Sequence, residues 1–170
     1  PQVVHLLRQS NLFNDIVDGM ALESVEYNKG LSLMLVLEKP CAISSPGCLK
    51  LESEKVSWVA DNSQKKGFSE EHCVTVHASP EFADYGWDKK DDKVAEEMIE
   101  SIENILGSKV MDWHIHRWLY AFAKTPLKSK YYRDANMNLS IAGDAFLSSR
   151  VESAAVSGLS TAEALIKSLK

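Results

Sequence analysis

The sequence predicts an α+β fold, with a mixed, mostly antiparallel sheet and helices on one face. Two observations support this class. Stretches of strand-like alternation outnumber the helical stretches, and the connections between them are short. The 170 residues, 45% of them hydrophobic and 25% charged, are enough to bury one substantial core.

The first half of the chain carries most of the predicted strands. Residues 1–20 have helical spacing with a break at Ser10 and Asn11, and residues 26–38 alternate as a strand that is apolar on both sides. A turn at residues 44–47 suggests a hairpin whose arms are Ala42–Ile43 and Cys48–Leu51. Further strands are predicted at Val56–Ala60 and Cys73–Ala78, joined by a polar loop over residues 61–71.

The second half begins with the clearest helix, Asp91–Leu106, which Gly107 is placed to end. Residues 110–122 alternate as a long strand, and residues 140–142 end a short buried one. A final helix is expected over residues 151–169, started by a capping box of Ser149 and Glu152. Its expected core-facing stripe is Val151, Ala155, Leu159, Ala162, Ile166 and Leu169.

Composition excludes several classes of function. With 19 basic against 24 acidic residues the net charge is −5, which argues against a nucleic-acid partner. The longest apolar run, residues 33–37, is far below the roughly 20 residues that span a bilayer, so we expect no membrane partner and a cytoplasmic location. Cys41, Cys48 and Cys73 have no CxxC spacing and are expected to be small, partly buried thiols.

The most informative stretch is residues 139–158, LSIAGDAFLSSRVESAAVSG. A strand ends at Gly143, which lets a ligand approach the backbone, and at Asp144, which offers an acceptor for sugar hydroxyls. Free amides near Arg150 and Val151, at the start of the helix, can stabilise negative charge on a ligand. A plain strand-turn-helix corner is the alternative interpretation.

This stretch resembles the C-terminal FAD-binding segment of the flavin-dependent amine oxidase superfamily. Three further stretches resemble its renalase-like branch, small FAD-dependent oxidoreductases that begin with a Rossmann GxGxxG. In chain order they are VSWVADNSQKKG, VTVHASPEF and HRWLYA. The resemblance spans nearly the whole chain and corresponds to about the C-terminal half of that family. It implies an α+β fold that ends in a strand-GD-helix FAD-contacting segment.

The resemblance also implies roles for single residues. Gly143 and Asp144 would contact the ribityl and pyrophosphate region of FAD, and Arg150 and Val151 the pyrimidine edge of the flavin. Ala154 and Ser157 would pack the helix beneath it. Asn62 and His77 match positions on the substrate side of the flavin, although His77 can equally be a half-buried structural residue. Trp118 and Tyr120 either line the same substrate side of the flavin or fill the core. We favour the core for both, because aromatic side chains in strands usually pack inside the protein.

The chain departs from the family in lacking any glycine-rich phosphate loop, since its eight glycines are scattered singly. Without that loop most of the FAD-binding surface is missing. We therefore interpret residues 1–137 as a substrate-binding domain and residues 138–170 as the C-terminal segment of an FAD-binding domain whose N-terminal Rossmann half is absent from this chain. We also interpret the start at Pro1, without a methionine, as support for a chain that is part of a longer polypeptide.

The expected function is that of a renalase-like oxidoreductase, in which hydride passes from an amine or a reduced nicotinamide-type small molecule to FAD and then to dioxygen. The protein is expected to need its N-terminal half, in the same polypeptide or a second chain, and to be inactive as these 170 residues alone. One alternative is a non-catalytic binding domain derived from this family. A minor alternative is a metal site at His114 and His116, with His72, Cys73 or His77 as a third ligand if their strands are neighbours.

Overall fold

A computed structural model describes residues 1–16, 19–65, 67, 71–134 and 136–168 of the chain. Within these residues the fold is α+β, with a five-stranded antiparallel sheet, a separate two-stranded sheet and five α-helices. The chain divides into two compact units, one formed by residues 1–28 and 120–170 and the other by residues 29–119. The predicted boundary at residue 137 separates parts by function and stays a prediction.

The strands of the five-stranded sheet are β1 (Tyr27–Leu37), β2 (Cys48–Lys50), β3 (Val56–Asp61), β4 (His72–Ala78) and β5 (Val110–Ala123). Their order in the sheet is β2-β3-β4-β1-β5. Strand β4 pairs antiparallel with β1 and with β3, with Ser32 opposite His77 and Val59 opposite Val76.

One core fills the unit of residues 29–119. Alternate residues of β1, from Leu31 to Leu37, are buried against α4 (Asp91–Leu106), whose Val94 and Met98 are fully buried. Phe82 of α3 (Pro80–Gly86) belongs to the same core. Both helices therefore lie on the same face of the sheet, as the alternation of β1 and the stripe of α4 predict for this unit.

The side chains on the opposite side of β1 differ in exposure. Ser32 is only 6% exposed and Val36 is half-buried, whereas Met34 is 39% exposed. This second face, which the sequence predicts to be largely apolar, is therefore only partly covered.

Two predictions about the loops of this unit are corrected. The expected hairpin does not form, because Cys48–Lys50 pairs with β3 while the amide of Ala42 donates to the carbonyl of Leu106 at the end of α4. The polar segment from residue 61, expected to lie in water, is buried at its start. Asp61 is the last residue of β3, Asn62 opens a short 3-10 turn, and both are buried.

Helix α3 was not predicted, although the sequence contains a typical signal for its start. The hydroxyl of Ser79 accepts a 3.1 Å hydrogen bond from the amide of Phe82, and Pro80 occupies the first helical position. Serine before proline is a typical helix start. Helix α4 matches its predicted bounds and ends at Gly107, whose φ of +62° is left-handed.

The other unit holds the remaining elements, α1 (Gln2–Gln9), α2 (Gly19–Glu23), β6 (Tyr132–Asp134), β7 (Leu139–Ile141) and α5 (Val151–Ser168). The helical pattern predicted for residues 1–20 is interrupted as expected, since α1 ends at Gln9 and Asn11 has a φ of +55°. Strand β7, which pairs with β6, is only half-buried, so the expectation of a buried strand at residues 140–142 is wrong.

Helix α5 packs through a different face from its predicted apolar stripe. Ser157 is fully buried and Thr161 is 8% exposed, while Val151 is 86% and Leu159 66% exposed, so the predicted core-facing stripe is wrong. Small side chains bring this helix close to its own unit, and the larger apolar ones point away. Leu169 lies outside the described residues.

The predicted capping box at the start of α5 is also wrong. The helix begins at Val151, one residue too late for Ser149 to be its cap, and the Ser149 hydroxyl accepts a 2.9 Å hydrogen bond from the amide of Ala123. Across the described ranges, no helix is both long enough and apolar enough to cross a bilayer.

Candidate functional site

The predicted site residues fall into two groups, one in each compact unit. The unit of residues 1–28 and 120–170 contains Gly143, Asp144, the start of α5 and Tyr120. Asn62, His77 and Trp118 belong to the unit of residues 29–119.

Residues Gly143 and Asp144, the Gly-Asp turn, follow directly on β7. Gly143 has a φ of +142°, and a Cβ atom built there would meet nothing within 4 Å, so the space beside its backbone is open. Its amide donates a 3.0 Å hydrogen bond to the Ser157 hydroxyl, which is fully buried on α5. Helix α5 therefore anchors the Gly-Asp turn through Ser157, for which the resemblance implied only a packing role.

The Gly-Asp turn lines a cleft of about 100 Å³ together with Val25, Tyr27 and Phe146. Asp144 is exposed, so its carboxylate is accessible to solvent. Burial raises the pKa of Tyr27, and the negative charge of Asp144 and the hydrogen bond that the phenol donates to it raise the pKa further. The phenol and the carboxylate are thus neighbours in this cleft.

Tyr27 is a candidate site residue that the sequence analysis missed. Its ring lies 5.8 Å from that of Tyr120, edge to face. Tyr120 is 40% exposed, which corrects its expected place in the core. No local signal connects Tyr27 with Asp144, because they meet only through the tertiary fold.

The start of α5 presents the residues that the resemblance assigned to the flavin edge. Arg150 and Val151 are exposed and Ala154 is half-buried. The amide of Ala154 donates to the Arg150 carbonyl at 3.0 Å, so the amides of the first turn lie ahead of the helical ladder. The Arg150 amide is not free as expected, because it donates to the Ser148 carbonyl at 2.8 Å. Glu152 in that turn already places a carboxylate near the positive end of the helix dipole.

In the other unit, Ser32, His77 and Trp118 form a hydrogen-bonded group that we call the histidine cluster. The Ser32 hydroxyl lies 3.0 Å from Nδ1 of His77 and accepts a 3.1 Å hydrogen bond from the Trp118 indole. His77 is half-buried, and burial lowers the pKa of its imidazole. Trp118 is 50% exposed, so its expected place in the core is wrong.

Asn62 is buried at the start of the 3-10 turn that follows β3. Its amide nitrogen donates to the Thr75 hydroxyl at 2.7 Å, and its carbonyl oxygen accepts from Lys65 at 2.7 Å. Thr75 lies two positions before His77 on β4, so the two side chains point to the same face of the sheet. Both the nitrogen and the oxygen of the Asn62 side-chain amide are therefore hydrogen-bonded within the protein.

The condition for a metal site at His114 and His116 is not met. Both histidines are exposed on β5, and β1 lies between β5 and β4, the strand that carries His72, Cys73 and His77. Within the described part of the chain, no three histidine, cysteine, aspartate or glutamate side chains are close enough to hold a metal ion. The His116 ring instead lies 4.2 Å from that of Trp118.

The comparison with protein-family models gives no match for this chain.

Proposed function

We propose that this chain is the substrate-binding and FAD-closing part of a renalase-like FAD-dependent oxidoreductase. The observation that carries the proposal is the Gly-Asp turn, with open space beside Gly143, an exposed carboxylate on Asp144 and the turn held to α5 by Ser157. A strand end followed by a helix start is a recurrent place for nucleotide ligands.

The residues of the Gly-Asp turn and of α5 are chemically suited to this cofactor. Gly143 permits close approach of a ligand to the backbone, and Asp144 can accept hydrogen bonds from ribityl hydroxyls. Arg150 and the amide of Val151 can meet the electron-rich edge of the flavin, and Ala154 offers a small contact surface. When bound, FAD supplies the redox chemistry, accepting hydride from an amine or a reduced nicotinamide-type substrate and passing electrons to dioxygen.

The proposed tasks of the chain are binding and orientation. In this assignment His77 and Trp118 face the substrate, whereas Asn62, which is 7% exposed and has both ends of its amide bonded within the protein, has only a structural role. The exposed ring of Trp118 offers a flat apolar surface, and the partly exposed His77 offers a polar ring nitrogen. No acid, base or nucleophile from the chain is required for the hydride transfer itself.

A Rossmann half is the partner that this proposal requires. The chain contains no GxGxxG, the motif that holds the pyrophosphate in this class of protein. We propose that the missing half is supplied by the same polypeptide or by a second chain, that the 170 residues alone are inactive, and that the protein is cytoplasmic.

The test is flavin retention. The polypeptide that joins a Rossmann half to this chain is expected to purify yellow with a flavin spectrum, and Asp144→Ala is expected to weaken FAD binding by about tenfold, the effect of losing one or two hydrogen bonds to a charged group. Asp88→Ala, which removes another exposed carboxylate, is the matched control and should retain FAD. A colourless parent protein, or equal FAD affinity in the two variants, would contradict the proposal.

A non-catalytic binding domain is the second candidate. The observation that favours it is the size of the cleft, about 100 Å³, against the 300–1,000 Å³ typical of pockets for small-molecule ligands. Equilibrium titration of the 170 residues with FAD, followed by flavin fluorescence, tests whether the chain alone binds the cofactor. Micromolar or tighter binding by the chain alone would show that the cleft opens to admit the cofactor without a second half.

A further inference from the structure

The histidine cluster contains a buried hydroxyl whose hydrogen bonds can be counted. Ser32 is only 6% exposed, so its hydroxyl proton needs an acceptor inside the protein. Within the described residues, the atoms bonded to this hydroxyl are the Trp118 indole nitrogen and Nδ1 of His77.

Only one assignment of the protons satisfies all three groups. An indole N–H can donate but cannot accept, so Trp118 takes one lone pair of the Ser32 oxygen. If Nδ1 of His77 also carried a proton, the oxygen would receive two donors and its own buried proton would have no partner, which is costly. With Ser32 donating to an unprotonated Nδ1, every member of the histidine cluster is satisfied.

We infer that Ser32 is a positioning residue that holds His77 in the neutral tautomer with its proton on Nε2. Nδ1 is then occupied by Ser32, and Nε2–H is the ring group left for a ligand, with no protein partner among the described residues. The face that carries His77 therefore offers a hydrogen-bond donor, and a ligand bound there must bring an acceptor such as a carbonyl or carboxylate oxygen.

The backbone supports this arrangement. Ser32 and His77 are directly opposite each other in the antiparallel register of β1 and β4, so their side chains stand side by side on one face of the sheet. Burial also favours the neutral imidazole, since it lowers the pKa of His77. Only the statement about the ligand rests on the proposed function, because the tautomer is a property of the protein alone.

Long-range ¹H–¹⁵N NMR spectra of the full chain test the inference, because the two imidazole tautomers give different nitrogen patterns. We expect His77 to show the Nε2–H pattern, and Ser32→Ala to reduce the ratio of the Nε2–H to the Nδ1–H tautomer by about fivefold, the effect of losing one hydrogen bond. Ser32→Thr keeps a hydroxyl and should restore the ratio.

Ser57→Ala is the matched control. The Ser57 hydroxyl bonds to the backbone carbonyls of His77 and Ala78 at 3.3 and 2.9 Å, so this variant removes a strand hydroxyl beside the same histidine without touching its ring. It should leave the tautomer unchanged. A proton on Nδ1 in the unaltered chain, or an unchanged ratio in a folded Ser32→Ala variant, would overturn the inference, whether or not the protein binds FAD.

Discussion

At the scale of single residues, Asp61 shows how a carboxylate is kept charged inside the protein. It is 4% exposed and accepts hydrogen bonds from the Ser63 hydroxyl at 2.6 Å, the Ser63 amide at 3.0 Å and the Gln64 side chain at 2.9 Å. Burial pushes its pKa up, but these hydrogen bonds together hold the pKa below its ordinary value. The charged form is therefore the stable one.

We expect Asp61→Asn to lower the free energy of unfolding by about 1–3 kcal/mol, since the new amide group places a donor against a donor and the charge is lost. Chemical denaturation monitored by circular dichroism measures the change. Asp88→Asn, at an exposed carboxylate, should stay within about 0.5 kcal/mol of the unaltered chain. Equal effects of the two substitutions would contradict the assigned network.

The contact between Tyr27 and Asp144 gives a residue-scale test of the cleft that needs no ligand. The charge of Asp144 and the hydrogen bond to it contribute to the raised pKa of Tyr27. Asp144→Asn should lower that pKa, although burial still keeps it above the ordinary value. Ultraviolet titration of the tyrosines, with Tyr27→Phe to identify the signal, measures the shift. A Tyr27 pKa that does not change would show that the two side chains are not in contact.

At the scale of elements, α5 shows the limit of apolar patterning. Its sequence contains an apolar stripe, and the usual rule places such a stripe against the core. The structure instead buries Ser157, whose hydroxyl accepts from the Gly143 amide, and Thr161, whose hydroxyl donates to the Ser157 carbonyl. Small side chains allow a close approach, and hydrogen bonds satisfy the polar atoms that this approach buries.

Two substitutions in α5 should therefore have effects opposite to those that the sequence pattern suggests. Leu159→Gln, at a position 66% exposed, should change the free energy of unfolding by less than about 0.5 kcal/mol. Ser157→Leu should cost about 1–3 kcal/mol, because it forces a large side chain into a fully buried site and removes the acceptor of Gly143. Thermal unfolding compares them, and the reverse order would restore the predicted stripe.

At the scale of the whole molecule, stability should depend on pH through two groups of different type, the half-buried His77 and the buried Asp61. Burial lowers the pKa of His77, so the unfolded chain binds a proton more readily than the folded one. This contribution is fully present above the ordinary histidine pKa of about 6.5 and is lost as the pH falls from there toward the lower folded pKa. The lowered pKa of Asp61 adds a second loss at more acidic pH, as the pH falls below the ordinary aspartate range.

The expected result is a free energy of unfolding that falls on acidification in two stages. His77→Gln carries no titrating group and should remove the first stage while leaving the second. Urea unfolding at a series of pH values measures both. A first stage that persists unchanged in His77→Gln would assign it to another group.

The molecule also shows how much of its structure local patterns contain. The bounds of α4, its end at Gly107 and the inward residues of β1 were predictable, because one amphipathic period or one turn residue determines each of them. Gly143 and Asp144 were predictable as a candidate site for the same reason, since they follow a strand and precede a helix along the chain. Tyr27, Ser32 and Thr75 were not, because their polar partners are distant in sequence.

The sequence by itself determined the α+β class, the strongest strand and helix, and the residues that resemble a flavin-contacting segment. The tertiary structure alone decided that β2 pairs with β3, that α5 packs through Ser157 and Thr161, and that Trp118 joins Ser32 and His77 on one face of the sheet. The physical reason is the range of the forces involved. Periodicity and capping act within a few residues, whereas strand pairing, close helix packing and side-chain hydrogen bonds are selected among all the surfaces that the folded chain brings together.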